Sequence, residues 1–390
     1  MRTIKLRDIA SPISINISNP SDCRYDKFVG LEHYDSGEFV ISRYSDVKLL
    51  TSAAKEFREN DILIARRNVY LKRAGIVKFD GITSGDSIIL RVNEHTIDTV
   101  GVPREIIEDY LPLVLNTEDF WLYANKHADG MNSKRISKDT LLDYEFMLPS
   151  EIEIKTISEK AWAAYRLKEA YKRLLVATDE MVKSQFIEMF GDPITNTKNW
   201  KISSLKDACV LVSDGPFGSN LKSCHYVQKG VRVIRLQNIC QGQFNDTDRA
   251  YISNEHYKNL KKYTCKPGEI VIATLGEPNL RACIIPDYIK LSINKADCIH
   301  VIPNSDLLNP VFVCSYFNST QVLHLATSDI HGTTRARIAG GQVANFPVSL
   351  PPIKLQEEFA AIVCQADKSK FELKKAIEAI DQVIKSLING

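Results

Sequence analysis

The chain has 390 residues, of which 44% are hydrophobic and 25% charged, so it is neither low-complexity nor collagen-like and its length predicts two to three domains. Its formal net charge of +2 excludes an overall basic surface as the basis of nucleic-acid binding. Because there is no run of 18 apolar residues and no signal-peptide core at the start, we expect a cytoplasmic protein.

Residues 1–150 are expected to form a first globular domain. Short runs rich in Ile, Leu and Val predict strands, which lie at 61–65, 75–79 and 86–92. A segment of mixed helical character follows at residues 103–128. We expect Pro112 to interrupt this segment, because proline lacks the N–H that a helix interior requires.

Two clusters in this domain are candidates for contacts with nucleic acid. The first lies at a strand end and in the loop after it, and comprises Arg66, Arg67, Asn68, Lys72 and Arg73. The second follows the helical segment and comprises Lys126, His127, Asn132, Lys134 and Arg135. Arginine can bind guanine through two hydrogen bonds, asparagine can read adenine, and basic groups bind phosphate. Taken alone, the first cluster could equally be a solvated surface, whereas the functional interpretation is favoured for the second, because its position recurs in the second half of the chain.

Residues 151–191 are predicted to form a long central helix. Apolar side chains recur there at steps of three and four, at Ile154, Ile157, Ala161, Ala164, Tyr171, Leu175, Val182, Phe186 and Met189. This spacing is typical of a coiled-coil seam, which Lys168 and Thr178 interrupt. Gly191 is available as a C-cap, and Pro193 cannot continue the helix.

Residues 192–350 are expected to form a second domain of the same kind. Strand-like runs lie at 269–273, 282–286 and 297–302, and Pro310 to Ala326 is predicted to be a helix. A tight turn from Ser213 to Lys222 presents an aromatic ring, small polar groups and a lysine, which suit groove insertion and phosphate contact. The candidate contact residues of this domain are Phe217, Ser219, Asn220, Lys222, Arg235, Gln237, Asn238, Glu277, Asn279, Arg281, His331, Thr333, Thr334, Arg335 and Arg337.

Residues 351–390 are predicted to form a second long helix with the same periodicity, broken once by Lys370. The two halves of the chain repeat each other. Asp61-Ile62-Leu63-Ile64-Ala65 recurs 208 residues later as Glu269-Ile270-Val271-Ile272-Ala273, and Arg135-Ile136 recurs 202 residues later as Arg337-Ile338. Such near-constant offsets indicate two copies of one domain-plus-helix unit.

The predicted fold class is therefore α+β, with two pseudo-repeated mixed α/β domains separated by two long antiparallel coiled-coil helices. Each long helix would expose an apolar stripe if it stood alone, and two of similar length can cover each other. A helix of about 36 residues spans roughly 54 Å, which is the scale of one to two turns of duplex DNA.

The sequence contains no catalytic motif that we can identify. It lacks a phosphate-binding Gly-x-x-x-x-Gly-Lys loop, a Gly-x-Gly-x-x-Gly turn, an Asn-Pro-Pro-Tyr motif and a His-Glu-x-x-His motif. The nine cysteines include no Cys-x-x-Cys pair, which argues against a zinc knuckle and a disulfide framework. We therefore expect no catalytic, cofactor-binding or metal site in this chain.

Several motifs resemble one protein family. They are Phe190-Gly191-Asp192-Pro193 with Asn199-Trp200, Ser213-Asp214-Gly215-Pro216-Phe217-Gly218-Ser219, Arg232-Val233-Ile234-Arg235-Leu236-Gln237-Asn238-Ile239, and Leu350-Pro351-Pro352-Ile353 with Gln356-Glu357. In this order and spacing the chain resembles the specificity subunit of a type I restriction–modification system. It departs from the family in two places. The first copy has no good match to the Gly-Pro-Phe-Gly-Ser loop, and Arg335 stands where many members have glutamine.

The resemblance implies a non-catalytic DNA-binding subunit of a host-defence system. Two target recognition domains would each read one half of a split double-stranded DNA target, and the long helices would set the spacer. The helices would also dock two modification subunits, which carry adenosylmethionine and methylate adenine. Restriction subunits, with translocase and nuclease activity that uses ATP and magnesium, would join for cleavage.

Three alternatives remain open at this point. The same kind of subunit could serve a fused nuclease–methyltransferase system. The chain could instead be a self-sufficient methyltransferase, which binding of adenosylmethionine by the isolated chain would reveal. It could also be a coiled-coil scaffold with two protein-binding heads, which would show no sequence-selective binding to DNA.

Overall fold

The structure is a computed structural model that describes residues 2–20, 23–50, 52–131, 133–328 and 337–390. The chain divides into two compact units. The first unit comprises Met1–Lys172 and Lys374–Gly390, and the second comprises Arg173–Leu373. In the described part of the chain, no helix combines the length and the hydropathy that a bilayer span requires.

The first unit is built from short strands, a group of short helices and the start of a long helix. Its strands are β1 (Arg2–Lys5), β2 (Ala10–Ile13), β3 (Ile15–Ile17), β4 (Lys27–Val29), β5 (Val40–Ile41), β6 (Ser45–Asp46), β7 (Ala54–Phe57), β8 (Ile62–Ala65), β9 (Ala74–Val77), β10 (Gly81–Ser84), β11 (Ser87–Val92) and β12 (Glu145–Leu148). Its helices are α1 (Thr96–Val100), α2 (Arg104–Val114), α3 (Glu118–Lys126) and α4 (Lys138–Leu142), and α5 (Glu151–Phe190) begins in it.

The second unit is built from the same kinds of secondary-structure element. Its strands are β13 (Lys201–Ser204), β14 (Cys209–Ser213), β15 (Tyr226–Val227), β16 (Val231–Ile234), β17 (Ala250–Ile252), β18 (Thr264–Cys265), β19 (Ile270–Ala273), β20 (Ala282–Ile284), β21 (Ser292–Asn294), β22 (Cys298–Pro303) and β23 (Pro347–Leu350). Its helices are α6 (Asn254–Leu260), α7 (Pro310–Phe317), α8 (Thr320–Ser328) and α9 (Gly340–Ala344), and α10 (Ile353–Asn389) begins in it.

The sheets of the two units follow one plan. The hydrophobic sheet has the order β2-β11-β8-β9-β5 in the first unit and β14-β22-β19-β20 in the second. Each unit also has a second sheet of short strands. Its order is β3-β7-β10-β4-β6 in the first unit and β15-β17-β16-β21-β18 in the second, and each of these two sheets contains one parallel pair of strands. A ribbon, β1-β12 or β13-β23, brings the start of each repeat beside the strand that precedes a long helix. The predicted fold class and its internal repeat are confirmed.

Apolar residues of the hydrophobic sheets form the centre of each unit. All four residues of β8 and of β19 are buried, because helices cover one face of the sheet and the second sheet covers the other. In the first unit, Trp121 and Phe120 of α3 pack into the same cluster as Ile64 and Leu90. This core fixes the loops at the strand ends, where most of the candidate contact residues lie.

Two helix predictions are corrected. Pro112 does not interrupt its helix, since α2 runs through it to Val114 and a break follows only before Thr117, whose side chain caps α3. The buried position of Pro112 among Leu111 and Leu113 stabilises the helix despite the missing hydrogen bond. The single helix predicted from Pro310 is two helices, α7 and α8, and they correspond to α2 and α3 of the first unit.

The long helices are as the periodicity predicts, and each unit contains paired parts of both. In the second unit, the rings of Phe190 and Phe359 lie 5.4 Å apart, and Lys370 Nζ lies 2.9 Å from Asp179 Oδ1. The residue number therefore falls along α5 as it rises along α10, so the two segments are antiparallel. In the first unit, Ile384 of α10 packs with Tyr165 of α5 in one cluster.

The acidic residue just before the buried central strand is paired with a different kind of basic residue in each unit. In the first unit, Arg91 binds Asp61 through two hydrogen bonds of 2.6 and 2.7 Å. In the second unit, His300 Nε2 lies 2.7 Å from Glu269 Oε2 and the imidazole is fully buried, although His300 does not stand at the strand position of Arg91. Burial lowers the pKa of His300 below its ordinary value of 6.5.

The buried imidazole predicts that the second unit loses stability below neutral pH. Because the pKa of His300 is lowered in the folded state, its stabilising contribution is present above about pH 6.5 and is lost as the pH falls through the folded pKa. The slope cannot exceed about 1.4 kcal/mol per pH unit for one proton. We expect the hydrogen-exchange protection factors of β19 and β22, corrected for the intrinsic exchange rate at each pH, to be lower at pH 5.5 than at pH 7.5, and His300→Gln to remove that difference. An equal fall of the protection factors in the variant would contradict this assignment.

Candidate nucleic-acid interface

In the first unit the two predicted basic clusters lie side by side. The backbone around Arg67 and Arg135 forms an isolated antiparallel bridge, and Asn68 N–H donates to the carbonyl of Lys134 at 2.8 Å. Arg67 Nε donates to Ser133 Oγ at 2.8 Å, which joins the two segments through their side chains as well. The clusters are therefore one surface, although 60 residues separate them in the chain.

The second unit brings its corresponding segments together in the same way. Leu275 forms the isolated bridge with Arg337, and Ile338 N–H donates to the carbonyl of Thr274 at 3.0 Å. The predicted tight turn also reaches this place, because the Arg337 guanidinium carbon lies 5.5 Å from the centre of the Phe217 ring. Phe217 is 45% exposed, so part of its ring remains accessible to a ligand.

An arginine–aspartate pair occupies this surface in both units. Arg135 Nη2 lies 3.2 Å from Asp86 Oδ2, and Arg337 Nη2 lies 2.7 Å from Asp297 Oδ1. Both arginine side chains are 48% exposed and both aspartates 25%. The aspartates also share their backbone role, since Arg66 N–H donates to the Asp86 carbonyl and Thr274 N–H to that of Asp297. A half-exposed guanidinium is thereby held at one position and keeps donors for a further partner.

Several predicted contact residues instead hold the loops in place. Arg73 donates to the carbonyls of Leu31 and Arg67, and Arg281 donates to those of Leu236, Ile239, Leu275 and Pro278. Their guanidiniums therefore satisfy backbone carbonyls of the site. Sequence reasoning assigned them to base reading because an arginine after a strand gives the same signal in either role.

Other candidates are paired or buried. Asn238 is fully buried and donates to the carbonyls of Asn245 and Asp248, and Asn279 is 2% exposed. Arg235 forms a two-hydrogen-bond ion pair with Asp248, and Lys72 Nζ lies 2.5 Å from Glu118 Oε2. Arg66 is half-buried. The amide of Asn238 cannot reach a base from this position, so we leave it out of the proposed contact surface.

The exposed candidates are the ones that remain available to a large ligand. They are Arg67, Lys126, His127, Lys134 and Arg135 in the first unit, and Phe217, Ser219, Asn220, Lys222, Gln237, Glu277 and Arg337 in the second. Their contact with nucleic acid stays a prediction. Five further candidates, Asn132, His331, Thr333, Thr334 and Arg335, lie outside the described residues.

The turn from Ser213 to Lys222 rests on the body of the second unit. A Cβ atom at Gly215 would lie 2.3 Å from the carbonyl carbon of Lys295, so only glycine permits this close approach. Pro216 beside it is buried, whereas the tip at Gly218, Ser219 and Asn220 is exposed. The turn is therefore anchored at its base and presents polar groups at its tip.

Sequence reasoning missed the residues that shape this surface from underneath. Asp86 and Asp297 were not candidates, because an acidic residue repels phosphate and only the fold shows that each one holds an arginine. Lys295 and Tyr226 were also missed. The Tyr226 ring lies 5.5 Å from the Arg235 guanidinium and 5.7 Å from Lys295 Nζ. The sequence around Lys295 gave no sign of a contact residue, because the preceding Ser292–Asn294 has only the pattern of a short strand.

Among the described residues, no group of three His, Cys, Asp or Glu side chains is arranged to hold a metal ion. Burial raises the pKa of the Cys209 and Cys314 thiols to about 12, so both are protonated at neutral pH. These thiols belong to the core of the second unit.

Comparisons with known proteins agree on one family. The model for the type I restriction modification DNA specificity domain matches residues 197–382. A putative type I restriction enzyme MjaX specificity subunit of Methanocaldococcus jannaschii is 18% identical over 199 residues, which are 49% of this chain. That alignment covers 45% of the relative, so the chain spans about half the length of the curated protein it matches.

Two solved structures share the fold over nearly the whole chain. One, described under complex assembly and conformational transition of the type I R-M system, has a TM-score of 0.53 and 17% identity and covers 100% of this chain and 97% of that one. The type I restriction-modification S subunit from M. genitalium has a TM-score of 0.52 and 12% identity, over 99% and 94% of the two chains. At these identities the likeness concerns the fold alone.

Proposed function

We propose that this chain, whose residues 197–382 match the model of the type I restriction modification DNA specificity domain, is the non-catalytic subunit that recognises the DNA target. Each unit reads one half of a bipartite double-stranded sequence. The helices α5 and α10 set the spacer between the halves and dock two modification subunits. The sequence-based expectation and the family match support the same reading.

One observation carries this proposal, namely that the same half-exposed arginine–aspartate pair stands at the same place in two units with different surrounding loops. Arg135 and Arg337 share the framework, whereas Arg67 in the first unit is replaced by Leu275 in the second. A common framework with different neighbouring side chains is what reading two different half-sites requires, since base contacts specify and phosphate contacts position.

The near-neutral charge of the chain fits a division of labour between subunits. Because the formal net charge is +2, we propose that the modification subunits surround the DNA and supply much of the positive charge. Adenosylmethionine would be bound by those subunits, and ATP and magnesium by the restriction subunits. The chain would act in the cytoplasm, where the host DNA lies.

Binding of DNA by the purified complex tests this function. The chain with its modification subunits should select a bipartite duplex from a random pool, and the modification subunits alone should not. Isolated chain should bind no adenosylmethionine in equilibrium dialysis, whereas a self-sufficient methyltransferase would. A complex that forms with the modification subunits but shows no sequence preference would instead favour a protein-binding scaffold.

A further inference from the structure

Each unit contains one lysine in the apolar contact between the long helices. In the first unit, Lys168 of α5 is 5% exposed, and its Nζ lies 2.7 Å from Asp381 of α10 and 2.9 Å from Glu38. In the second unit, Lys370 of α10 has a side chain that is 15% exposed, and its Nζ lies 2.9 Å from Asp179 of α5. The two pairs are reciprocal, because each helix supplies one lysine and one aspartate.

The internal repeat relates these pairs. Lys370 follows Lys168 by 202 residues, and Asp381 follows Asp179 by the same 202 residues, which is also the offset between Arg135 and Arg337. Both partners of one pair therefore have repeat-related counterparts in the other. This correspondence distinguishes the pairs from incidental surface ion pairs of the helices.

A buried lysine is a poor source of stability. Removing an ammonium and a carboxylate from water costs several kcal/mol per ion, and well-packed apolar residues often replace such a pair without loss. Polar groups in a helix–helix contact are best attested as determinants of register, because they find a partner in only one alignment. The same reasoning applies to both pairs here.

We propose that the pairs Lys168–Asp381 and Lys370–Asp179 fix the register of the two long helices and thereby the number of base pairs between the two half-sites. This inference rests on the proposed function for its consequence in DNA. The register itself is a property of the chain alone and can be measured without DNA.

The lysines discriminate against an alignment in which α10 is shifted by seven residues along α5, a shift that preserves the coiled-coil spacing. If α10 moved so that residue 374 rather than 381 stood opposite Lys168, then Lys374 would face Lys168 and Lys172 would face Lys370. Two pairs of like charges would replace two ion pairs. Beside Tyr165 the apolar contact alone would tolerate this alignment, since Ile377 would replace Ile384 there.

A slip in the opposite direction is penalised differently. Lys168 would then stand opposite Ile388, and Lys370 would stand opposite Phe186. Lys168 would keep only Glu38 of its own domain and Lys370 only Asp367 of its own helix, and each ammonium would exchange its partner on the facing helix for an apolar side chain. Both neighbouring alignments are therefore excluded, one by repulsion and the other by desolvation.

In the first unit the pair is also tied to the body of the domain. Glu38 contacts Lys168 and also Lys172, at 2.7 Å. The next residue, Phe39, is buried and stacks on Tyr165 of α5 with 5.3 Å between ring centres. Lys168 is thus held in place by the segment that attaches the domain to its helix.

Photo-cross-linking of the full-length chain tests the proposal. A benzophenone amino acid at position 178 of α5 should react near residue 371 of α10, because Asp179 stands opposite Lys370. The double variant Lys168→Met and Lys370→Met keeps the apolar contact between the helices but no longer discriminates between their alternative registers. We expect added cross-links shifted by seven residues, near position 364 or 378, which mass spectrometry resolves.

A charge-conserving variant is the matched control. Lys168→Arg with Lys370→Arg keeps a cation beside each carboxylate partner and should give a single cross-link near residue 371. A single native cross-link in the methionine variant would overturn the proposal, as would shifted cross-links in the arginine variant. If the methionine variant does not fold, Lys168→Gln with Lys370→Gln decides, because it removes both charges while keeping polar side chains: shifted cross-links support the proposal and a single native cross-link overturns it. Failure of DNA recognition with the register intact would count against the proposed function only.

Discussion

Replacing Arg337 with glutamate is expected to destroy discrimination at the half-site that the second unit reads, while discrimination at the other half-site survives. The change places a carboxylate beside Asp297 and beneath the Phe217 ring, where the guanidinium now lies 2.7 Å and 5.5 Å away. Loss of one such contact costs about 1–3 kcal/mol, so affinity should fall about ten- to a hundredfold. Arg135→Glu should have the same effect at the first half-site.

The measurement is competition gel shift in the presence of the modification subunits, with duplexes altered in one half at a time. For Arg337→Glu, alterations in the second half should cause no further loss, and alterations in the first half should still do so. Lys206→Glu, which changes an exposed cation between β13 and β14, away from the long helices and the candidate contact residues, is the charge-matched control and should bind as the unchanged chain does. Equal loss of discrimination in both halves would show that the units do not read separately.

Lengthening both long helices by seven residues is expected to change the spacer and nothing else. The insertions belong between Lys168 and Asp179 on α5 and between Lys370 and Asp381 on α10, where both ion pairs are kept and a full coiled-coil period is added. Seven residues add about 10 Å of helix, which corresponds to about three base pairs of duplex at 3.4 Å per step. The preferred target should keep both half-sites and gain about three base pairs between them.

Selection from duplexes with a randomised spacer length measures this directly. Insertion in α5 alone is the informative control. The seven added residues of α5 then have no partner on α10, so we expect binding of DNA to weaken. An unchanged spacer in the doubly lengthened chain would mean that the helices do not set the distance. A change in either half-site would mean that the insertion altered the recognition surfaces.

The sequence predicted the repeat and the long helices because both leave periodic signals. The echo of Asp61–Ala65 in Glu269–Ala273 marks one buried strand in each unit, and apolar steps of three and four mark α5 and α10. Short strands such as Ser45–Asp46 and Tyr226–Val227 carry no comparable signal. Tertiary pairing alone defines them, so the second sheet of each unit could not be predicted.

The candidate site was predicted as a set of segments, and its chemistry was only partly predictable. Arg135 and Arg281 give the same signal in the sequence, but one is half-exposed beside Asp86 and the other is bound by backbone carbonyls. Asp297 was missed because its role is to hold Arg337 in position, and only the fold shows this contact. Pro112 was expected to end a helix, but its burial in the core outweighs the lost hydrogen bond.

The central claim is that two units read two half-sites independently. Its most direct measurement is long-read methylation sequencing of a host in which residues 1–150 are exchanged for those of another family member. The account predicts that the methylated motif changes in one half only, with the spacer and the other half unchanged. A motif altered in both halves, or one whose spacer alone changes, would contradict it.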